Sequence, residues 1–348
     1  MPLLTSILFP LLFLSSQSYK YFFMSKSGDI VLLLTHSGDY FTVDKVEKAL
    51  LRRGAQPFRL DSDRFPMELQ LSARLGSEGM HYQLDYGGKS FATDEVQAVW
   101  MRRLWTPQLG KELALKFRDG CTRESIAALD GFLDGLWQAR WVDDLQRIYQ
   151  AENKLRQLRV ARNSGLKIPR TLITNNPQQA RSFFQEVKGK MVAKLLTPLS
   201  TSMEGSSFFV YTNAVREQDL AQAEALRYSP MVFQEQIPKS RELRIVYVAG
   251  NIFVGALDAS SYNADTMDWR RAKSEQCVWE PDQLPDDITR CLECFMADLG
   301  LTFGAIDMIR TPAGEHIFLE VNPTGEWGML ERDLDYPISE AIADALLG

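Results

Sequence analysis

The sequence predicts an α/β protein made of several open-sheet lobes, and three observations carry that prediction. From residue 30 onward, apolar runs of strand length alternate with stretches whose apolar residues recur at helical spacing. Glycine or proline stands at many of the joins, where one element must stop and the chain must turn into the next. The composition, 45% hydrophobic and 24% charged over 348 residues, suffices for two or three modest cores and argues against disorder or a fibre.

Residues 1–23 stand apart from this pattern. Leu3 to Leu14 is apolar, like the central region of a secretory signal, but no Lys or Arg precedes it. It also falls short of the roughly 20 residues needed to span a bilayer. Met24 is followed by a short polar stretch and then by the first strand pattern, so residues 1–23 are expected to form an extension outside the fold, with Met24 as the natural start.

Residues 24–141 read as a first, open-sheet lobe. Ile30 to Leu34 is a strand, Val43 to Arg53 a helix stopped by Gly54, and Gln56 to Leu60 a second strand. Val96 to Arg103 supplies another strand, and Leu113 to Trp141 one or two helices leading out. Residues 142–236 form a second lobe: a helix over Ile148 to Asn163 stopped by Ser164-Gly165, a strand Arg170 to Thr174, a helix Pro177 to Val187 and a strand Lys190 to Leu196. A loop of small polar residues, Thr197 to Ser207, precedes the strand Met231 to Gln236. The third lobe, 237–348, holds two strand pairs. Leu243 to Val248 and Ile252 to Leu257 flank Ala249-Gly250-Asn251, and Phe303 to Ile309 and Ile317 to Val321 flank Thr311-Pro312-Ala313-Gly314.

Several chemistries are excluded by what the chain lacks. The net charge of −6 argues against a nucleic-acid surface built on summed positive charge. Four scattered cysteines, Cys121, Cys277, Cys291 and Cys294, are too few for a disulfide framework and imply reduced thiols in a cytoplasmic protein. Cys291 and Cys294 have C-x-x-C spacing without a second pair, so a buried thiol pair on a helix face is favoured over zinc. Gly87-Gly88-Lys89-Ser90 resembles the end of a phosphate loop, but Gln83 stands where its leading glycine belongs, which leaves a hairpin tip. No G-x-G-x-x-G opens a helix, and no G-x-S-x-G offers a serine nucleophile.

The last strand pair is where chemistry concentrates. Asp307 interrupts an apolar strand between Ile306 and Met308, and Glu320 and Asn322, two residues apart, face one side of the strand that follows. If the two strands pair through the Pro312–Gly314 turn, Asp307 joins them. Two carboxylates and an amide oxygen make a hard-oxygen set suited to Mg²⁺, which keeps its other positions for water and phosphate. A solvated strand edge explains Glu320 alone, whereas a carboxylate inside a buried strand is costly without a cation.

A strand with an internal Asp followed by Phe318-Leu319-Glu320-Val321-Asn322-Pro323 resembles the metal-binding signature of the ATP-grasp superfamily. That resemblance implies an N-terminal pre-grasp domain followed by two α+β lobes enclosing ATP. It also implies roles for residues that, one at a time, would read as surface charges. Lys154 and Lys194 match the two nucleotide lysines. The loop Ser200 to Ser207, with Ser206, matches the flexible phosphate cover, although Gly205 alone stands where relatives carry more glycine. Gln234, Glu235 and Ile237 match the interlobe segment whose backbone reads adenine, and Arg244 and Arg270 the arginines near the transferred phosphate.

Three further stretches narrow the resemblance. These are Thr35 to Asp39, Trp100 to Pro107, and Asn322 to Asp333, and they look like the lactam-forming peptide ligases of microviridin biosynthesis. The implied cofactors are ATP and Mg²⁺, and the implied partner is a precursor peptide whose leader docks on the enzyme; a homodimer is compatible, and no membrane or nucleic-acid partner is expected. The implied reaction activates an acidic side chain as an acyl phosphate, which a lysine amine then displaces. Glu326, close after the metal ligands, is the first candidate for the base that deprotonates the amine, ahead of Glu331 and Asp333. The rivals are side-chain ester formation, addition of free amino acids to an acid acceptor, and a non-catalytic nucleotide switch.

Overall fold

The computed structural model describes residues 29–77, 79–196, 212–260 and 278–348. The N-terminal sheet joins β1 (Ile30–Thr35), β2 (Gln56–Asp61), β6 (Val96–Met101) and β7 (Arg140–Val142) in the parallel order β2-β1-β6-β7. Val31 to Leu34 are all fully buried, as an apolar run without alternation requires of a strand covered on both faces. Helix α1 (Thr42–Arg52) follows β1. A separate antiparallel sheet of β3 (Gln70–Gly76), β4 (Gly79–Tyr86) and β5 (Lys89–Ala92) is inserted before β6. Gly87 and Gly88, at φ 60° and 76°, make its tight turn, so Gly87-Gly88-Lys89 is a hairpin tip.

Helix α2 (Leu115–Asp134) ends before the expected Trp141, because the chain needs Arg140–Val142 as the strand that extends the sheet beyond β6. The helix expected over Ile148 to Asn163 is in fact two, α3 (Leu145–Ala151) and α4 (Lys154–Asn163). Asn153 ends the continuity: its side chain accepts from the Arg156 amide and caps a new helix, which sets Lys154 in the first turn.

The central antiparallel sheet has the order β10-β9-β11-β8, from β8 (Thr171–Thr174), β9 (Met191–Lys194), β10 (Asn213–Val215) and β11 (Met231–Glu235). Helix α5 (Pro177–Glu186) lays Phe183 and Phe184 against it. The C-terminal sheet has the order β14-β13-β12-β15-β16, from β12 (Arg241–Val248), β13 (Asn251–Asp258), β14 (Glu280–Pro281), β15 (Phe303–Arg310) and β16 (His316–Asn322). Helices α6 (Asp286–Leu299), α7 (Gly328–Leu334) and α8 (Ile338–Leu347) complete the chain.

Packing does not follow chain order. Leu158 and Ala161 of α4 share a core with Phe295 and Met296 of α6 and Phe318 of β16, so α4 lies on the C-terminal sheet. On another side of that sheet, Val246, Leu257, Trp327, Leu330, Ile338 and Ile342 share one core with Val31, Leu33 and Trp100. The N-terminal sheet and the C-terminal sheet are thereby fused. Arg53 reinforces the join through Asp344 at 2.7 Å and through Glu340. The expected boundary at residue 142 therefore does not coincide with a change of core.

On α6, Cys291 is partly buried and Cys294 exposed, a thiol pair on a helix face but not a buried one. Among the described residues no three or more His, Cys, Asp or Glu side chains gather into a metal cage, and no helix is long and apolar enough to cross a membrane.

Candidate active site

A cavity of about 280 Å³ lies between the central and C-terminal sheets, and Lys194, Gln234, Glu235, Ile237, Asp307 and Glu320 all line it. Strand register explains why residues so far apart in sequence meet there. Asp307 stands directly opposite Arg244 on one neighbouring strand and Glu320 on the other, so the three side chains share a face. The register then shifts, leaving Leu319 unpaired between Glu320 and Phe318. This bulge re-aims the end of β16, so that Leu319 and Glu320 both reach the cavity.

The electrostatics are paired but incomplete. Lys154 Nζ donates to Glu320 Oε2 at 2.6 Å, and Asn322 Nδ2 lies 3.4 Å from Glu320 Oε1. Arg244 Nη1 lies 3.1 Å from Asp307 Oδ1, so the cation that the buried carboxylate requires is in the first instance Arg244. That approach is an ion pair without hydrogen-bond alignment, and among the described residues Arg244 Nε and Nη1 are buried donors without a hydrogen-bond acceptor. A buried orphan donor costs about 1–3 kcal/mol. Two on one guanidinium, beside two carboxylates, fit a site made for a bound anion and its counter-cation.

In the interlobe segment the amides of Glu235 and Gln236 and the side chains of Gln234 and Glu235 are all engaged within the protein. Gln234 Nε2 donates to Thr171 Oγ1 at 3.1 Å, and Arg170 grips both Glu235 oxygens at 3.0 Å, holding that carboxyl below its usual range. Arg270, Ser206 and the rest of the Ser200–Ser207 loop lie outside the described residues.

Two contributors escaped the sequence reading. Gln157 of α4, 1% exposed, donates to Val321 O and accepts from Val321 N, which pins β16 between Glu320 and Asn322. A glutamine on a helix carries no signal of burial until the packing is known. Lys239 and Glu242 pair with each other at the cavity, and only their i, i+3 spacing just after Pro238 hinted at it.

Glu326 is found with both oxygens engaged. Oε1 accepts from the Trp327 and Gly328 amides at 3.1 and 2.9 Å, and Oε2 from Arg102 Nη2 at 2.6 Å. Arg102, 2% exposed, also donates to Thr324 O at 2.7 Å. Glu331 accepts from the Ser339 amide and hydroxyl, and Asp333 pairs with Arg332. The three motif stretches therefore converge: His36 and Asp39, Arg102 to Trp105, and Thr324 to Gly328 meet where the N-terminal sheet faces the end of β16.

Gly325 makes this convergence possible, since a Cβ there would lie 2.5 Å from Ala305 Cβ and 2.9 Å from Asn322 Cβ. Gly325→Ala should cost about 1–3 kcal/mol of stability through overpacking. Displacement of Asn322 should also lower turnover more than nucleotide binding. Thermal unfolding beside steady-state kinetics checks both, and an unchanged melting temperature would contradict the close packing.

A lysine at the end of one sheet, carboxylates on the facing sheet and a connecting backbone segment over a shared cavity define a nucleotide-dependent ligase of the ATP-grasp class. Comparison with known proteins agrees. Residues 30–149 match the MvdD pre-ATP grasp domain and residues 151–346 the RimK-like ATP-grasp domain. The macrocyclase MdnB from Microcystis aeruginosa MRC is 54% identical, with a TM-score of 0.80 over 92% of this chain and 99% of its own. MdnC from the same organism, solved with precursor peptide MdnA, is 35% identical with a TM-score of 0.82 over 91% and 99%. A Chryseobacterium gregarium RiPP-associated ATP-grasp ligase, solved with ADP and a leader and core peptide, is 31% identical with a TM-score of 0.85 over 92% and 96%. The chain belongs to the ATP-grasp ligases, in the branch of the microviridin-type macrocyclases, and is an ATP-dependent carboxylate–amine ligase.

Proposed function

We propose that this protein binds a leader-bearing precursor peptide and closes a lactam between an acidic side chain and a lysine amine of its core. The observation that carries the nucleotide half is the face shared by Arg244, Asp307 and Glu320, of which Asp307 and Glu320 line the cavity together with Lys194. Asp307, Glu320 and Asn322 would hold Mg²⁺, which when bound neutralises charge on the phosphoryl oxygens. Lys194 and the orphan donors of Arg244 orient the γ-phosphate, with Arg270 and Ser206 as further proposed contacts. The substrate carboxylate attacks the γ-phosphorus and ADP leaves. The lysine nitrogen then attacks the acyl carbon, phosphate leaves, and the amine gives up its proton. Enclosure matters because an acyl phosphate reached by water hydrolyses.

Glu326 Oε2, held by one donor only, is the proposed proton acceptor, and Arg102 must yield that oxygen as it does so. Glu326→Gln should slow ring closure about 10²-fold while acyl-phosphate formation, followed as ADP release, changes little. Equal slowing of both steps would instead make Glu326 a positioning group for segment 324–328.

The bond itself is tested by incubating the protein with ATP, Mg²⁺ and a precursor containing lysine, aspartate and glutamate, then weighing the product. A lactam shows loss of one water per ring and survives mild alkali. An alkali-labile product means an ester, and a mass gain means addition of a free amino acid; either result overturns the lactam assignment.

A further inference from the structure

In the sheet order β2-β1-β6-β7, the chain runs to opposite sides of β1, and the loops after β1 and β6 leave the carboxyl ends of adjacent parallel strands. Such a switch point opens a crevice, the general ligand position of open α/β sheets. His36 and Asp39 come to it from the first loop, Arg102, Arg103 and Trp105 from the second, and Glu326 reaches it from the segment after the metal strand.

The hydrogen bonds there are unequally shared. Arg102 takes Glu326 Oε2 and lies 3.6 Å from Asp39, whose Oδ2 also accepts from Thr35 Oγ1 at 2.6 Å, while Glu326 Oε1 caps α7. Arg103 has the same charged neighbours, Arg102, Asp39 and Glu326. Yet among the described residues its half-buried guanidinium makes no hydrogen bond and no ion pair. Burial and the adjacent Arg102 together pull its pKa below the ordinary arginine value, the mark of a cation short of a counter-charge. The wall beside it is flat: the His36 and Trp105 rings stack at 3.7 Å with planes 4° apart, and burial keeps His36 below its usual pKa and so uncharged at neutral pH.

A planar fork of N–H donors, partly desolvated and without an acceptor, matches a carboxylate. We propose that Arg103 receives an acidic side chain of the peptide's core segment, anchoring it in the switch-point crevice beside residues 324–328. The inference rests on the reading that the substrate is a peptide with acidic side chains, and it adds a specificity contact outside the nucleotide cavity. Arg103 does not line that cavity, so its loss should leave nucleotide binding alone.

The test is a double-mutant cycle between Arg103→Gln and precursors in which each core Asp or Glu is replaced in turn by its amide. Binding is read by anisotropy of the labelled full-length precursor with ADP and Mg²⁺ present, so that the leader contribution cancels. Arg103→Gln should weaken binding about 10- to 100-fold, the range of a charged hydrogen bond, without altering the ADP-induced thermal shift. Arg103→Lys should restore part of the loss. One amide substitution should weaken wild-type binding comparably and cost Arg103→Gln nothing further. Binding by Arg103→Gln within twofold of wild type, or every amide substitution costing both proteins equally, would overturn the proposal. A wild-type protein that binds these peptides but forms no ring would overturn the lactam function and leave the Arg103 contact standing.

Discussion

Glu320→Ala should reduce ring formation at least about 10³-fold, since Glu320 in its proposed role as a magnesium ligand would support several kcal/mol of transition-state charge stabilisation. The substitution removes the carboxylate that faces Asp307 across the strand pair and leaves Lys154 without its 2.6 Å partner. Both side chains of that pair are partly solvated, so the fold should survive with a melting temperature within a few degrees of wild type. Binding of the precursor leader should stay within twofold, because the loss is confined to the metal strand. Product mass after a fixed time, together with anisotropy of a labelled leader, separates the two effects. Turnover within tenfold of wild type would remove Glu320 from the metal site.

Arg244→Met should lower turnover by about 10²–10³-fold, the usual consequence of deleting one preorganised donor to a developing anion. Here the argument is the pair of buried N–H groups without a hydrogen-bond acceptor among the described residues: the ion pair with Asp307 offsets the charge, and a bound anion would complete the hydrogen bonds. The same substitution leaves Asp307 facing an apolar side chain, and breaking a buried ion pair is destabilising in itself. A companion variant, Arg244→Met with Asp307→Asn, removes the unpaired charge and should recover stability but not activity. Arg244→Lys keeps the charge and loses the planar fork, and should fall between the two. Turnover of Arg244→Lys equal to wild type would show that Arg244 serves only to neutralise Asp307.

The sequence by itself determined most of the local elements and pointed to the candidate residues of the nucleotide site. Runs such as Val31 to Leu34 are legible because burial on both faces leaves no polar alternation, and Asp307 stood out because a carboxylate between Ile306 and Met308 demands a counter-charge. Lys154 and Lys194 were not legible one at a time and stood out only through the family resemblance that the strand pair with Asp307, Glu320 and Asn322 opened.

Only the tertiary structure decided which elements share a core. Whether Arg140–Val142 becomes a strand depends on β6 being beside it, and whether Gln157 is a surface amide or the clamp on Val321 depends on α4 lying on β16. The pairing of Arg102 with Glu326, which leaves the Arg103 side chain without a partner among the described residues, was likewise invisible, because Arg102 and Glu326 come from segments more than 200 positions apart. Strand and helix periodicity is a local property of the chain. Which donor reaches which acceptor follows from the packing of whole sheets, and only the folded molecule fixes it.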